Sequence, residues 1–140
     1  MKKFAKVACL FTIAAMVLTC LSACGKSGKD NKTLLLGGIG PLTGDNANYG
    51  KSVQNGAELA VKEINEAGGV NGFTFKLEFQ DSQGLVDSAV NAYGKLMDMG
   101  MDVSLGTVLS GEMASVAQAG ADDGILMLTP SASSKSCIES

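Results

Sequence analysis

Two short polar turns carry the residues of this sequence best suited to chemistry. The first is Val108-Leu109-Ser110-Gly111-Glu112 and the second is Pro130-Ser131-Ala132-Ser133-Ser134. Each comes after a short apolar run, Val103 to Thr107 and Ile125 to Leu128, and a small-residue helical stretch separates them. The chemistry such turns offer is binding rather than bond-making. Short hydroxyls and backbone N–H groups at the start of a helix hold an anion, a carboxylate above all, without a charged side chain. Ser110 lies just before the predicted helix start, where a helix N-cap is its plainer role, and the two roles are compatible. If both apolar runs are parallel strands, the two turns fall at the carboxyl edge of one sheet, where ligands bind in open α/β folds.

Catalysis lacks its usual groups. The 140 residues include no His, no Arg and no Trp. The commonest general base and metal ligand is therefore absent, and a serine hydrolase would have no His to activate its nucleophile. Gly38, Gly40 and Gly44 only loosely match a dinucleotide-binding loop. Their spacing is off by one, and Pro41 stands where a phosphate needs an N–H. A nucleotide-dependent oxidoreductase would also need an acid about twenty residues past an intact fingerprint. The sequence is read as a binding protein and not an enzyme, with no cofactor and no metal site.

The elements that must position the two turns are set by periodicity. Leu34-Leu35-Leu36 is a short unbroken apolar run ahead of the breaker cluster Gly37 to Pro41, which suits a central parallel strand buried on both faces. Leu42 to Tyr49 reads as a loop that brings Tyr49 to the sheet edge. Val53, Ala57, Ala60, Val61 and Ile64 make one apolar stripe, which predicts a helix from Tyr49 to Ala67 closed by Gly68-Gly69. Val70-Asn71-Gly72 is a turn, and Phe73 to Gln80 alternates apolar and polar as a strand with its four apolar residues in the core. Asp81 is expected to cap the next segment, with a part in shaping the site as the alternative. Leu85 to Met99 predicts a second helix with Val86, Ala89, Val90, Tyr93, Leu96 and Met97 on one face, and Tyr93 in the core with its hydroxyl at the rim. Met97, Met99 and Met101 read as packing residues. A third helix is expected from about Gly111 to Asp123, stopped by Gly124 before a strand at Ile125 to Leu128. The fold class is α/β: repeated strand–helix units with short loops imply a parallel sheet with helices on both faces.

The first residues are not domain. Lys2, Lys3 and Lys6 precede a mostly apolar run from Val7 to Leu18, about the length of a signal-peptide core and short for a membrane span. Leu21-Ser22-Ala23-Cys24 resembles the lipobox of bacterial lipoproteins. The alternative, an ordinary signal or anchor with an incidental cysteine, fits less well, because basic region, apolar run and box agree. The expected organisation is a signal peptide at 1–23, a polar Gly/Ser/Lys tether at 24–33 beginning with a lipidated Cys24, and a single lobe over 34–140. Such a protein is extracytoplasmic and anchored to the membrane surface by lipid. Without the three leading lysines, eight lysines face fourteen acids, about −6 in all. With no basic cluster, nucleic acid is disfavoured as a partner. Cys137 is then a lone thiol in an exported chain, which suggests a missing partner.

Taken in order, G-P-L-T-G, N-Y-G, A-V-K-E-I-N-E-A-G-G-V-N-G, F-Q-D-S, G-T-V-L-S-G-E and D-D-G-I-L-M-L-T-P-S-A-S resemble one family. The chain is similar to the N-terminal lobe of the branched-chain amino-acid-binding proteins, the leucine/isoleucine/valine receptors of bacterial ABC importers. The resemblance runs from about Leu34 to about Cys137. It implies a type I periplasmic-binding-protein lobe, incomplete here, since the family closes a ligand between two lobes. By resemblance, Ser110 matches the position whose N–H and hydroxyl bind the ligand carboxylate. Ser133, with Ala132 and Ser131, matches the second carboxylate-binding turn, which also reaches the ammonium. Tyr49 matches an aromatic residue at the cleft mouth, and Leu109 would line the same wall. The implied partners are an amino-acid ligand, the transporter's membrane permease and, through Cys24, the membrane surface. Glu112 departs from an uncharged serine-rich run and is expected in the first turn of its helix, favoured by the dipole. The length leads us to expect a truncated product or a fragment, weak binding by these residues alone, and a partner for Cys137 beyond Ser140. A receptor for amides or urea and the sensing ectodomain of a signalling protein are the alternative readings.

Overall fold

The computed structural model describes residues 32–138. The expected signal peptide, Cys24 and nearly all of the tether lie outside the described residues. The chain forms β1 (Lys32–Gly40), α1 (Ala47–Glu66), β2 (Phe73–Asp81), α2 (Val86–Asp98), β3 (Val103–Thr107), α3 (Ser110–Ala119), β4 (Leu126–Met127) and a single 3-10 turn at Lys135–Cys137. All four strands are parallel, in the order β2-β1-β3-β4. Right-handed crossovers put α1 on one face of this sheet and α2 and α3 on the other.

β1 is the central strand the apolar run foretold, yet Leu34, Leu35 and Leu36 are half-buried rather than buried, and the strand does not stop at Leu36. It begins within the expected tether, where the Thr33 and Thr74 hydroxyls pair at 3.0 Å, and runs through Gly37-Gly38-Ile39-Gly40, in register with β2 from Lys32↔Phe73 to Gly40↔Asp81. The glycines are strand positions whose side-chain space is already taken. A Cβ at Gly37 would strike Met101 and Leu96, one at Gly38 Phe79, and one at Gly40 Val108. Composition alone reads such a cluster as a breaker, because the filling side chains are distant in sequence.

The two faces of the sheet are not equal. Ile39, Ala89, Ala92, Tyr93, Leu96, Met101 and Val116 form one buried cluster on the α2/α3 side. Leu96 and Val116 are fully buried, and truncating a side chain such as Leu96 to Ala removes about 2–5 kcal/mol. Tyr93 is buried with its hydroxyl donating to Asp123 Oδ2 at 2.7 Å; burial first, then the Asp123 carboxylate, push its ionisation far up. Val86 and Met99, expected as packing residues, are instead exposed. Val86 opens α2 and Met99 follows its last turn. On the other face the α1 stripe is only half covered. Val53, Ala57 and Val61 are half-buried and Ala60 and Ile64 exposed, along an apolar groove of about 400 Å3 shared with Leu36, Phe75 and Leu128. The β2 aromatics are likewise half-buried rather than core, because β2 is an edge strand.

Turns and ends obey local rules. The backbones of Val70 and Phe73 bond reciprocally across Asn71 (φ 51°) and Gly72 (φ 86°), the turn an Asn-Gly pair favours. α1 and α2 close with paired bonds, Gly69 N–H to Ile64 O with Gly68 N–H to Asn65 O, and Met101 N–H to Leu96 O with Gly100 N–H to Met97 O. α3 ends four residues before the expected Asp123, because Gly120 abuts Tyr93 and the next residues turn so that Asp123 meets the Tyr93 hydroxyl. β4 pairs over only Leu126 and Met127, and Leu126 on this outer strand and Leu128 just past it are exposed.

Candidate functional site

The carboxyl ends of the parallel strands bring four loops to one edge: 41–46 after β1, 82–85 after β2, 108–109 after β3 and 128–134 after β4. A bulge sets the third of them. Gly37 pairs Ser104 and Ile39 pairs Thr107, so Leu105 and Gly106 together oppose Gly38. Gly106 takes φ +60°, with its N–H on Ser104 Oγ at 3.0 Å, and a side chain there would meet Met113 and Leu128 O. Such a bulge bends the strand and re-aims the residues after it. Here those are Thr107 and Val108, whose carbonyls receive the last loop.

The two serine-bearing turns meet. Ser110 Oγ accepts the N–H of Ser133 at 3.3 Å and of Ser134 at 3.4 Å. Ser131 Oγ donates to Val108 O at 2.7 Å, and Thr129 Oγ1 donates to Thr107 O at 2.9 Å while accepting from Ala132 N–H at 3.0 Å. The Cys137 thiol, buried and without a disulfide partner among the described residues, lies 3.7 Å from Ser110 O. These bonds redistribute the expected roles. The Ser131 hydroxyl proton and the Ala132 and Ser133 N–H groups hold the turn itself. What these bonds leave unused is the Ser110 hydroxyl proton, the exposed Ser133 hydroxyl, and the Ser110 and Gly111 N–H groups. The last two precede the first intrahelical bond, Met113 N–H to Leu109 O at 3.0 Å.

Ser110 is the first residue of α3 rather than its cap. Leu109 occupies the cap position, without a side-chain capping bond, and the Ser110 oxygen serves the neighbouring loop instead. Leu109 is half-buried, and its side chain and that of Asn46 both approach Gly84, so the first three loops meet around it. Tyr49 stands in the first turn of α1, 64% exposed, at the same edge. That helix start is fixed by Gly50, whose missing side chain lets α1 lie on the Pro41 backbone.

Asp81 does not cap α2. Its carboxylate braces the loop after β1, accepting from Leu42 N–H at 2.8 Å, Thr43 N–H at 3.4 Å, Thr43 Oγ1 at 2.7 Å and Gln83 N–H at 2.8 Å. Burial pushes this carboxyl up, but the Thr43 hydroxyl and the three N–H donors outweigh it and hold it below 3.8. Glu112 lies in the first turn of α3 as expected, but buried: Oε1 accepts the Ser82 hydroxyl at 2.8 Å. Burial pushes its carboxyl up, against the Ser82 hydroxyl and the Leu109 N–H and helped by the Asp81 charge. Sequence periodicity gave no sign of this, since a first-turn Glu normally faces water. The apolar groove beside α1 has no part in this edge's donor chemistry; its lining offers nothing for a charged solute.

Comparison with known proteins agrees with this architecture. A relative in Rhizobium johnstonii, the Leu/Ile/Val-binding protein BraC3, is 36% identical over 121 residues, 86% of this chain and 33% of that protein. The crystal structure of the branched-chain amino acid transporter substrate-binding protein LivJ of Streptococcus pneumoniae, in complex with isoleucine, is 30% identical with a TM-score of 0.70, covering 74% of this chain and 30% of that one. A putative branched-chain amino acid ABC transporter protein of Rhodospirillum rubrum is 31% identical with a TM-score of 0.72, covering 76% and 31%. The chain thus spans about a third of the length of the relatives it matches. A family profile described as periplasmic binding protein matches residues 33–139, and the chain belongs to that family.

Proposed function

We propose that this chain is the N-terminal lobe of an extracytoplasmic receptor that delivers branched-chain or other aliphatic amino acids to an ABC importer, as a binding protein and not an enzyme. The observation that carries the reading is the junction of the two turns through Ser110 Oγ. It makes one patch of uncharged donors from the start of α3 and the 131–134 turn, and such a patch suits a carboxylate. Ser110, with the Gly111 N–H beside it, and Ser133 hold the acid end of the solute. Ser131 and Ala132 shape the second turn, and Leu109 and Tyr49 flank the aliphatic side chain. Cys24 carries the lipid that keeps the receptor at the membrane surface; no helix among the described residues is long and apolar enough to cross a membrane. The names of the relatives, Leu/Ile/Val-binding proteins, support the solute class.

The test is a titration of the 15N-labelled full chain with L-isoleucine, monitored by NMR. A single lobe leaves half of the solute in water, so a Kd in the millimolar range is expected, with amide shifts at Ser110, Gly111, Ser133 and Tyr49. The same titration with isoleucinol, which lacks the carboxylate, leaves these signals in place. Shifts gathered elsewhere, or equal shifts with isoleucinol, overturn the reading.

A further inference from the structure

Glu112 stands apart from the neutral donors around it. It is 2% exposed, and its second carboxyl oxygen, Oε2, has no hydrogen-bond partner among the described residues. No lysine neutralises it: the ion pairs among the described residues are Lys62–Glu66 and Lys76–Glu78. The charged group that acts on it is Asp81, one residue before its partner Ser82 and of the same sign. An unpaired buried anion is far costlier than the neutral acid, in which Oε1 stays the carbonyl acceptor and Oε2 carries the proton.

Its position matters as much as its burial. Ser82 N–H donates to Gly40 O at 2.9 Å, and Asp81 beside it holds the loop after β1. Glu112 is therefore the strut between the first turn of α3, two residues past Ser110, and the ends of β1 and β2. A negative charge in that turn would also occupy the field that the helix end offers to an incoming anion.

Resting on the receptor reading above, we propose that Glu112 is a positioning residue for the Ser110 corner. As a neutral buried acid it braces α3 against Ser82 and leaves the helix end free for the solute carboxylate; its ionisation weakens that hold. Burial, which raises this carboxyl, agrees with the geometry. As pH rises the proton passes to solvent, and binding weakens.

The experiment tracks the Glu112 side-chain carboxyl carbon and the isoleucine affinity by NMR across pH, in the full chain and in Glu112→Gln and Glu112→Ala. The carboxyl carbon is expected to titrate above 4.5, with the Ser82, Ser110 and Gly111 amides sharing its midpoint. Isoleucine affinity falls about fivefold through that midpoint in the unaltered chain. It is flat with pH in Glu112→Gln, which keeps the neutral strut, and weak throughout in Glu112→Ala. A Glu112 that titrates at or below 4.5 overturns this proposal. So does a pH dependence that Glu112→Gln retains. Both leave the receptor reading intact. If isoleucine perturbs none of the three proteins, the receptor reading itself fails, whatever Glu112 does. The unaltered chain and Glu112→Gln suffice if Glu112→Ala does not fold.

Discussion

Removing the Asp81 carboxylate tests how the loops at the carboxyl edge of the sheet are held together. The substitution Asp81→Ala takes away the acceptor for the N–H groups of Leu42, Thr43 and Gln83 and for the Thr43 hydroxyl. The bond from Leu42 is half-buried and short; the others are exposed, so water replaces much of what they lose. A charge-assisted bond contributes about 1.5–3 kcal/mol when shielded and much less when wet, which gives about 2.5 kcal/mol for the set. Asp81→Asn keeps an acceptor toward the N–H groups and loses only the charge, for about 1 kcal/mol. The assay is urea unfolding monitored by circular dichroism. With a slope of about 1.5 kcal/mol/M, Asp81→Ala lowers the midpoint by about 1.7 M and leaves the slope unchanged. The depressed carboxyl fixes the sign with pH. Its stabilisation is fully present above the ordinary value of 3.8 and is lost as pH falls through the lower folded value. The gap between the unaltered chain and Asp81→Ala therefore closes in acid. A gap below about 0.5 kcal/mol at neutral pH, or one that persists undiminished at the acid end, refutes the brace.

Three further outcomes rest on the same kind of contact. Glu112 shows the opposite sign: its raised carboxyl lends stability at low pH that is lost as pH rises through the folded value, so Glu112→Gln gains on the unaltered chain as pH climbs, read from urea midpoints above and below 4.5. Asn65→Ala leaves Phe75 N–H and C=O without the side-chain amide that bonds both, at 2.9 and 2.7 Å; it costs about 2 kcal/mol and speeds hydrogen exchange at Phe75. Gly50→Ala drives a methyl group into the Pro41 carbonyl, and a loss of about 2–3 kcal/mol in thermal or urea unfolding checks that contact.

Much of this was legible from residue order. The apolar stripe of α1, the alternation of β2, the glycine closures of α1 and α2 and the repeated strand–helix units are set by nearest neighbours along the chain. They give a parallel sheet with helices on both faces. The joining of Ser110 to the 133–134 turn was expected as proximity, because parallel strands must end at one edge; that the Ser110 oxygen itself forms the joint was not. The glycine cluster in β1 reads as a break until Met101, Leu96, Phe79 and Val108 are seen to fill its space. Asp81 reads as a cap until Leu42 and Thr43, some forty residues earlier, are seen to turn toward it. Glu112 reads as a surface charge until Ser82 closes over it. The sequence by itself determined the elements and the edge they share, since periodicity and turn chemistry act over a few residues. Tertiary structure alone decided which polar groups hold the frame and which are left over, because that depends on donors and acceptors brought together only when the sheet assembles.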